Sequence, residues 1–156
     1  MNTQRQGFTI VELMIVIIVI GILTTITMVG ISRFQADARD ARRSTSITTI
    51  AEALEKYYDQ NGEYPNCAAI GATANTVSTD TLKGISTSAL IAPQAPSGTA
   101  NSLSCTVTAT TNGTDVFQYI GDGTSPCTNS TGACLRYSLR YKSEGQNTII
   151  QVDSRR

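Results

Sequence analysis

"QRQGFTIVELMIVIIVIG", residues 4–21, decides how the rest of the chain is read. Leu13–Leu23 is apolar throughout when Gly21 is counted with it, and the wider stretch Phe8–Ile31 holds 24 residues with one charge, Glu12, and four threonines. As a helix rising about 1.5 Å per residue it spans about 36 Å, enough for a hydrocarbon core of about 30 Å. An ordinary secretory signal has a shorter apolar region followed by a small-x-small cleavage site, and neither applies here. Glu12 is the anomaly. A carboxylate at mid-membrane costs roughly 2.5–3.5 kcal/mol on insertion scales, and even near one end of the run it calls for a cation. Its side chain leans toward the helix N-terminus. There Phe8 lies one turn back, preceded by Gly7. A cut between Gly7 and Phe8 creates a free α-amine within reach of a carboxylate. An intrachain pair, or a side chain snorkelling to the headgroups, is the simpler reading. A pair with the new amine of a neighbouring subunit is the sharper one.

The 156 residues give room for one modest domain and an accessory element. Twelve basic and 12 acidic side chains cancel, which argues against nucleic-acid binding through bulk charge. With 15% charged residues, no Trp and abundant Thr, Ser, Ala, Asn and Gly, the composition suits a loop-heavy extracellular module. Histidine is absent, which removes His-based acid–base catalysis, the usual Ser-His and Cys-His pairs and His-ligated metals. No catalytic residue, metal or cofactor is expected. The four cysteines form no CxxC pair, so an even number in a small, thinly cored domain favours two disulfides and an oxidising compartment. Buried free thiols in a cytosolic protein are the alternative. Among three connectivities the expected one is Cys127–Cys134, closing "CTNSTGAC", with Cys67–Cys105 tying the post-helix loop to the sheet. On a loop-entropy model these contribute about 2.5 and 4 kcal/mol.

Beyond the apolar run, Ile47, Ile50, Ala51, Leu54, Tyr57 and Tyr58 keep helical spacing, and Gly62 and Pro65 end the pattern. One helix from about Phe8 to about Gln60 follows, roughly 80 Å at about 1.5 Å per residue. Between its halves, Asp37, Arg39, Asp40, Arg42 and Arg43 are expected on an exposed stretch, one that meets subunits or lipid headgroups or, equally, a merely solvated face. Within 66–115, "STDTLKGISTSALIAP" predicts a short helix capped near Ser78 or Thr79 and stopped by Pro93. Strict alternation in "LRYSLRYK" marks a half-buried strand. "NTIIQV" returns as its partner, "DVFQYI" (115–120) is a third strand and "SLSCTVTA" (102–109) a weaker fourth. The fold class is α+β: a long N-terminal helix, apolar in its first half, whose second half packs on a small antiparallel sheet. Arg136, Arg140, Lys142, Arg155 and Arg156 are read chiefly as a solvated face, with a DNA or polyanion contact as the lesser reading. "NGT" (112–114) and "NST" (129–131) match the glycosylation pattern only weakly.

The stretch "RQGFTIVELMIVIIVIGIL" resembles the class III signal sequence of type IV pilins and pseudopilins: a short basic leader, Gly7 at the cut, Phe8 first, Thr9 next and Glu12 fifth. "NGEYP" after the helix strengthens the match. The resemblance implies a leader over 1–7 and a membrane and polymerisation helix over 8–31. It further implies an amphipathic continuation over 32–62, a variable loop region over 63–114, and a sheet with a disulfide loop over 115–156. It also implies that a prepilin peptidase cuts after Gly7 and N-methylates Phe8, and that Glu12 neutralises the amine of a neighbouring Phe8 during assembly. Many members carry a proline late in the apolar half, where the helix loosens in the filament. Here Val29–Gly30 and Gly21 stand instead, and glycine weakens a helix by about 1 kcal/mol relative to Ala. A positive-inside count over Arg33, Arg39, Arg42 and Arg43 places the C-terminal part in the cytoplasm. The cysteines and the motif argue for the opposite orientation.

The implied function is structural. A pilin waits in the cytoplasmic membrane with its C-terminal domain outside, then polymerises with copies of itself into a surface fibre for adhesion, twitching motility or DNA uptake. Its implied partners are prepilin peptidase, the assembly platform, minor pilins and membrane lipid, with an unidentified surface or DNA ligand. The alternative is a pseudopilin of a type II secretion or competence system. A lone membrane-anchored enzyme or binding protein is disfavoured by the missing catalytic residues.

Overall fold

The computed structural model describes residues 7–105, 113–121 and 134–156, with backbone only at 28–30. It contains two compact units, up to Ala36 and from Asp37 onward. A single α-helix, α1, runs from Ile10 to Asn61. Among the described residues it is the one helix long and apolar enough to cross a membrane. In the first unit every described side chain from Gly7 to Thr27 is exposed, Phe8 to 89%. The threonines there spend their hydroxyls on the helix itself. Thr24 donates to Ile20 O at 2.6 Å, Thr25 to Gly21 O at 2.7 Å and Thr27 to Leu23 O at 2.5 Å. Polar groups satisfied within the segment are what an apolar solvent requires.

In the second unit the helix changes character. Ile47, Ile50 and Leu54 are buried on one stripe, as the periodicity predicts, with Ala51, Tyr57 and Tyr58 partly buried beside it. Gly62 stops the helix at φ +75°, and its N–H caps Tyr58 O at 2.8 Å. A left-handed residue just past the last turn is the usual glycine terminator. The chain then crosses the core: Tyr64 N–H bonds Cys134 O, and Pro65 O accepts from the Tyr119 hydroxyl.

Four strands complete the unit in the order β1-β2-β3-β4: β1 Leu103–Cys105, β2 Phe117–Gly121, β3 Tyr137–Lys142 and β4 Ile149–Asp153. The α+β architecture is as read. On β3, buried Tyr137, Leu139 and Tyr141 alternate with half-buried Ser138, Arg140 and Lys142. They meet Phe117, Tyr119 and the helix stripe in one core.

Three expectations need correction. The sheet is not wholly antiparallel, because β1 pairs parallel to β2. The loop before β1 sets its direction: Asn101 donates to Ile70 O and Ala72 O, and Ser102 N–H bonds Leu90 O. The loop helix is not capped near Ser78 or Thr79. Thr73 caps α3 (Ala74–Thr76), which follows the short α2 (Cys67–Ile70) and leads into a π-turn at Val77–Thr81. Ser78 and Thr79 instead bond back to Asn75 O from inside that run. A separate 3-10 turn covers Thr87–Leu90.

The third correction concerns charge. Arg39, Asp40 and Arg43 do not stand free on the helix surface. Arg43 is fully buried and donates to Asp40 at 2.6 Å, to Thr114 O at 2.9 Å and to Gln94 at 2.9 Å. Asp40 receives the backbone N–H groups of Glu144 and Gly145 and the Ser143 hydroxyl, and Arg39 bonds Glu144 at 2.5 Å. The tight turn between β3 and β4 is thereby clamped to the helix. Only Asp37 and Arg42 of the five are exposed. Alternating charge was a correct sign of exposure for those two alone, because the clamp's partner turn lies about a hundred residues away in sequence.

Candidate assembly site

Glu12 lies in the first turn of α1, and its carboxylate is not unpartnered. Oε2 accepts from Thr9 N–H at 2.9 Å and from the Thr9 hydroxyl at 2.9 Å, while Glu12 N–H donates back to Thr9 Oγ1 at 3.2 Å. This is a capping box, in which a Thr and the Glu three residues on satisfy each other's free donors. The pattern stands in the sequence as "TIVE" (9–12) and explains the helix start, so the reading from composition missed a partner that was legible. The partner is neutral. No cation among the described residues lies within ion-pair distance of Glu12, and Oε1 has no bond of its own.

Gly7 and Phe8 are both exposed, immediately before the helix, and residues 1–6 lie outside the described part. The amide that Thr9 donates to Glu12 lies on the C-terminal side of the Gly7–Phe8 bond. The capping box therefore does not depend on residues 1–7. Around it, the apolar side chains of Ile10, Val11, Leu13, Met14 and Ile15 are exposed and, among the described residues, stand outside the hydrophobic core. A contiguous apolar surface of this size marks a lipid or protein contact.

Cys67 and Cys105 are joined in a disulfide across a sequence separation of 38, tying α2 to β1. Cys134 is also disulfide-bonded. Cys127 lies outside the described residues, and with it the expected Cys127–Cys134 pair; so do Asn112 and the "NST" triplet. No group of three or more His, Cys, Asp or Glu is placed to hold a metal among the described residues.

A second polar cluster sits under the sheet. Glu55 accepts from the Tyr64 hydroxyl at 3.0 Å, the Tyr137 hydroxyl at 3.2 Å and Arg155 N–H at 3.1 Å. Burial, reinforced by the Glu55 carboxylate, pushes the Tyr64 phenol up to about 12 and the Tyr137 phenol higher than its ordinary value. The rings of Tyr64 and Tyr137 meet edge to face at 4.8 Å. Both phenols are core anchors; the alternation in β3 announced Tyr137 only as an apolar position, and Tyr64 lies outside the strands.

Helix, sheet and site define a class: an α+β protein of pilin-like fold with a membrane-competent N-terminal helix. Residues 2–28 match the prokaryotic N-terminal methylation motif. The chain is 31% identical over 67 residues to the type IV major pilin protein PilA of Myxococcus xanthus, covering 43% of this chain and 30% of that protein. It is 32% identical over 87 residues to a fimbrial protein of Neisseria meningitidis serogroup B, covering 54% and 51%. It is also 32% identical over 63 residues to the type II secretion system core protein G of Pseudomonas aeruginosa, covering 40% and 44%. The chain thus spans about a third to a half of the length of these relatives. No solved structure matches it. The motif and these partial matches make the chain similar, over part of its length, to type IV pilins, a fimbrial protein and a secretion core protein.

Proposed function

We propose that the chain is a structural subunit of a type IV pilus, cut by prepilin peptidase between Gly7 and Phe8 and methylated on the Phe8 amine. It then polymerises with copies of itself through α1. The observation that carries this reading is the capped Glu12. Hydrolysis of the Gly7–Phe8 peptide bond leaves an α-amine that is largely protonated at neutral pH, since such amines titrate near about 7.7–8.0. That cation needs an acid in a medium with little water, and Glu12 is the only acid of the apolar run. Thr9 holds one carboxylate oxygen and leaves the other for the amine of an adjacent subunit. Charge neutralisation at that point and burial of the exposed aliphatic surface then act together. Before assembly the subunit sits in the cytoplasmic membrane with the sheet unit outside, and afterwards in a surface fibre; the assembly platform and minor pilins are its further partners.

Intact-mass analysis of protein recovered from cells tests the processing. The expected mass lacks Met1–Gly7 and carries one added methyl group, and recovery of the uncut chain in a working fibre overturns the reading. The relationship to the secretion core protein supports a second reading, a pseudopilin of a short periplasmic fibre. Fibres of this chain purified from the cell surface at native expression favour the pilus. Fibres seen only on overexpression favour the pseudopilin.

A further inference from the structure

Where β3 and β4 run out at the end of the sheet, two exposed arginines line one groove. The Ser154 N–H donates to Tyr137 O at 2.9 Å, which carries the ladder one pair beyond Ser138↔Asp153. The next positions outward are Arg136 and Arg155. Both are exposed, and with Ser138, Asp153, Arg156 and Ile120 they line one groove of about 530 Å³. Neither guanidinium has a hydrogen-bond or ion-pair partner among the described residues. Like charges in facing positions on neighbouring strands repel one another. Four other arginines are bonded, Arg39 and Arg43 in the turn clamp, Arg140 on Gln151 at 2.7 Å and Arg156 on Asp59 at 2.6 Å, whereas Arg33 and Arg42 are exposed on the helix.

On the β4 side of the groove the chain is anchored. Arg155 N–H is bonded to Glu55, the Ser154 hydroxyl to Arg156 O, and the Arg156 guanidinium lies 5.2 Å over the Tyr58 ring. The acidic side chain lining the groove, Asp153, is already engaged by the Ser138 hydroxyl and by Gln151. Two forked cations on an ordered support, in a groove within the usual ligand-pocket range of about 300–1,000 Å³, are suited to a tetrahedral oxyanion.

We propose that this groove binds a phosphate or sulfate group carried by a small ligand, gripped between the guanidiniums of Arg136 and Arg155. The site belongs to the sheet unit and does not depend on assembly. The test is NMR titration of the arginine side-chain N–H signals of the full chain in detergent micelles, with pyrophosphate in one arm and sulfate in the other. Saturable shifts at Arg136 and Arg155 are expected. Arg136→Gln and Arg155→Gln should each weaken binding by about tenfold or more, the loss expected for a charged hydrogen bond. Asp153→Asn should tighten it, and Arg42→Gln and the assembly variant Glu12→Gln should leave it unchanged. Preference for pyrophosphate assigns the phosphoryl group, and preference for sulfate the sulfuryl group. Non-saturating shifts in both arms, or equal binding in wild type and both arginine variants with unchanged circular dichroism, overturn the proposal.

Discussion

The two halves of α1 share a backbone and little else. From Ile10 to Thr27 the described side chains are apolar almost throughout and exposed on every side, and the polar atoms bond to neighbours within the same turn. From Asp37 to Asn61 the helix carries charge and buries one stripe, and Arg39, Asp40 and Arg43 bond groups far away in sequence, such as the turn after β3. The second half has its partners inside the chain. The first shows only exposed side chains among the described residues from Ile10 to Thr27, and its one ionic group is capped but has no cation among them. A helix hydrophobic all round is stable only when something outside it supplies the apolar surroundings. The contrast therefore separates what the fold completes by itself from what it leaves to lipid or to other copies.

The largest effect is expected at Glu12, where two roles can be separated. Glu12→Gln keeps a side chain able to close the capping box but removes the charge, whereas Glu12→Ala removes both. On the neutralisation reading both variants insert in the membrane and neither assembles into fibres, so fibre yield by sedimentation falls to background in each. If Glu12→Gln assembles like wild type while Glu12→Ala does not, the carboxylate acts through the helix cap, worth about 1 kcal/mol, and the ionic contact is not required.

Next come substitutions that should register on one half only. Arg43→Ala leaves Asp40 and Gln94 facing a void, and breaking a buried ion pair from one side costs about 3–5 kcal/mol. Leu54 is fully buried, and its truncation to Ala is expected to cost about 2–5 kcal/mol. Ile18→Ala removes a comparable side chain from an exposed site and should change unfolding of the sheet unit by less than about 0.5 kcal/mol. Denaturant unfolding of the full chain in micelles, followed by tyrosine fluorescence, reads all three. A loss for Ile18→Ala as large as for Leu54→Ala would mean that the two halves do not divide the work as their exposure indicates.

The halves also differed in how much their sequence disclosed. The apolar half is legible because its pattern is local: a run of aliphatics, one acid and a T-x-x-E cap all fall within a few turns. The stripe Ile47, Ile50, Leu54 and the alternation in β3 are legible for the same reason, each being a period along one element. The turn clamp was not. Nothing near Arg43 indicates that it is buried, since its partners Gln94, Thr114 and Glu144 come together only through the tertiary fold. Likewise β1 reads as an ordinary strand, and its parallel pairing depends on the anchors at Asn101 and Ser102. The cysteine spacing alone left three connectivities open, and the Cys67–Cys105 bridge needed the fold to bring α2 beside β1.

The smallest expected effect is the pH response of the sheet unit, which sharpens the comparison because its titrating pairs lie in that unit. Burial raises the Asp40 carboxyl, but the N–H groups of Glu144 and Gly145, the Ser143 hydroxyl and Arg43 outweigh it and hold the group below the ordinary carboxylate range. Glu144 is lowered chiefly by its bond from Arg39. A carboxyl lowered on folding contributes stability above its unfolded value of about 4 and loses it as pH falls through the folded value. Tyr64 and Tyr137 are shifted the other way: their contribution is present below about pH 10 and lost above it. For Tyr64 the loss runs up to about 12. Unfolding midpoints should accordingly be flat from about pH 5 to 9 and decline on both sides. Asp40→Asn should flatten the acid limb, and Tyr64→Phe together with Tyr137→Phe the alkaline one. An alkaline limb that survives both tyrosine substitutions would place the titrating group elsewhere and remove the Glu55 cluster as its cause.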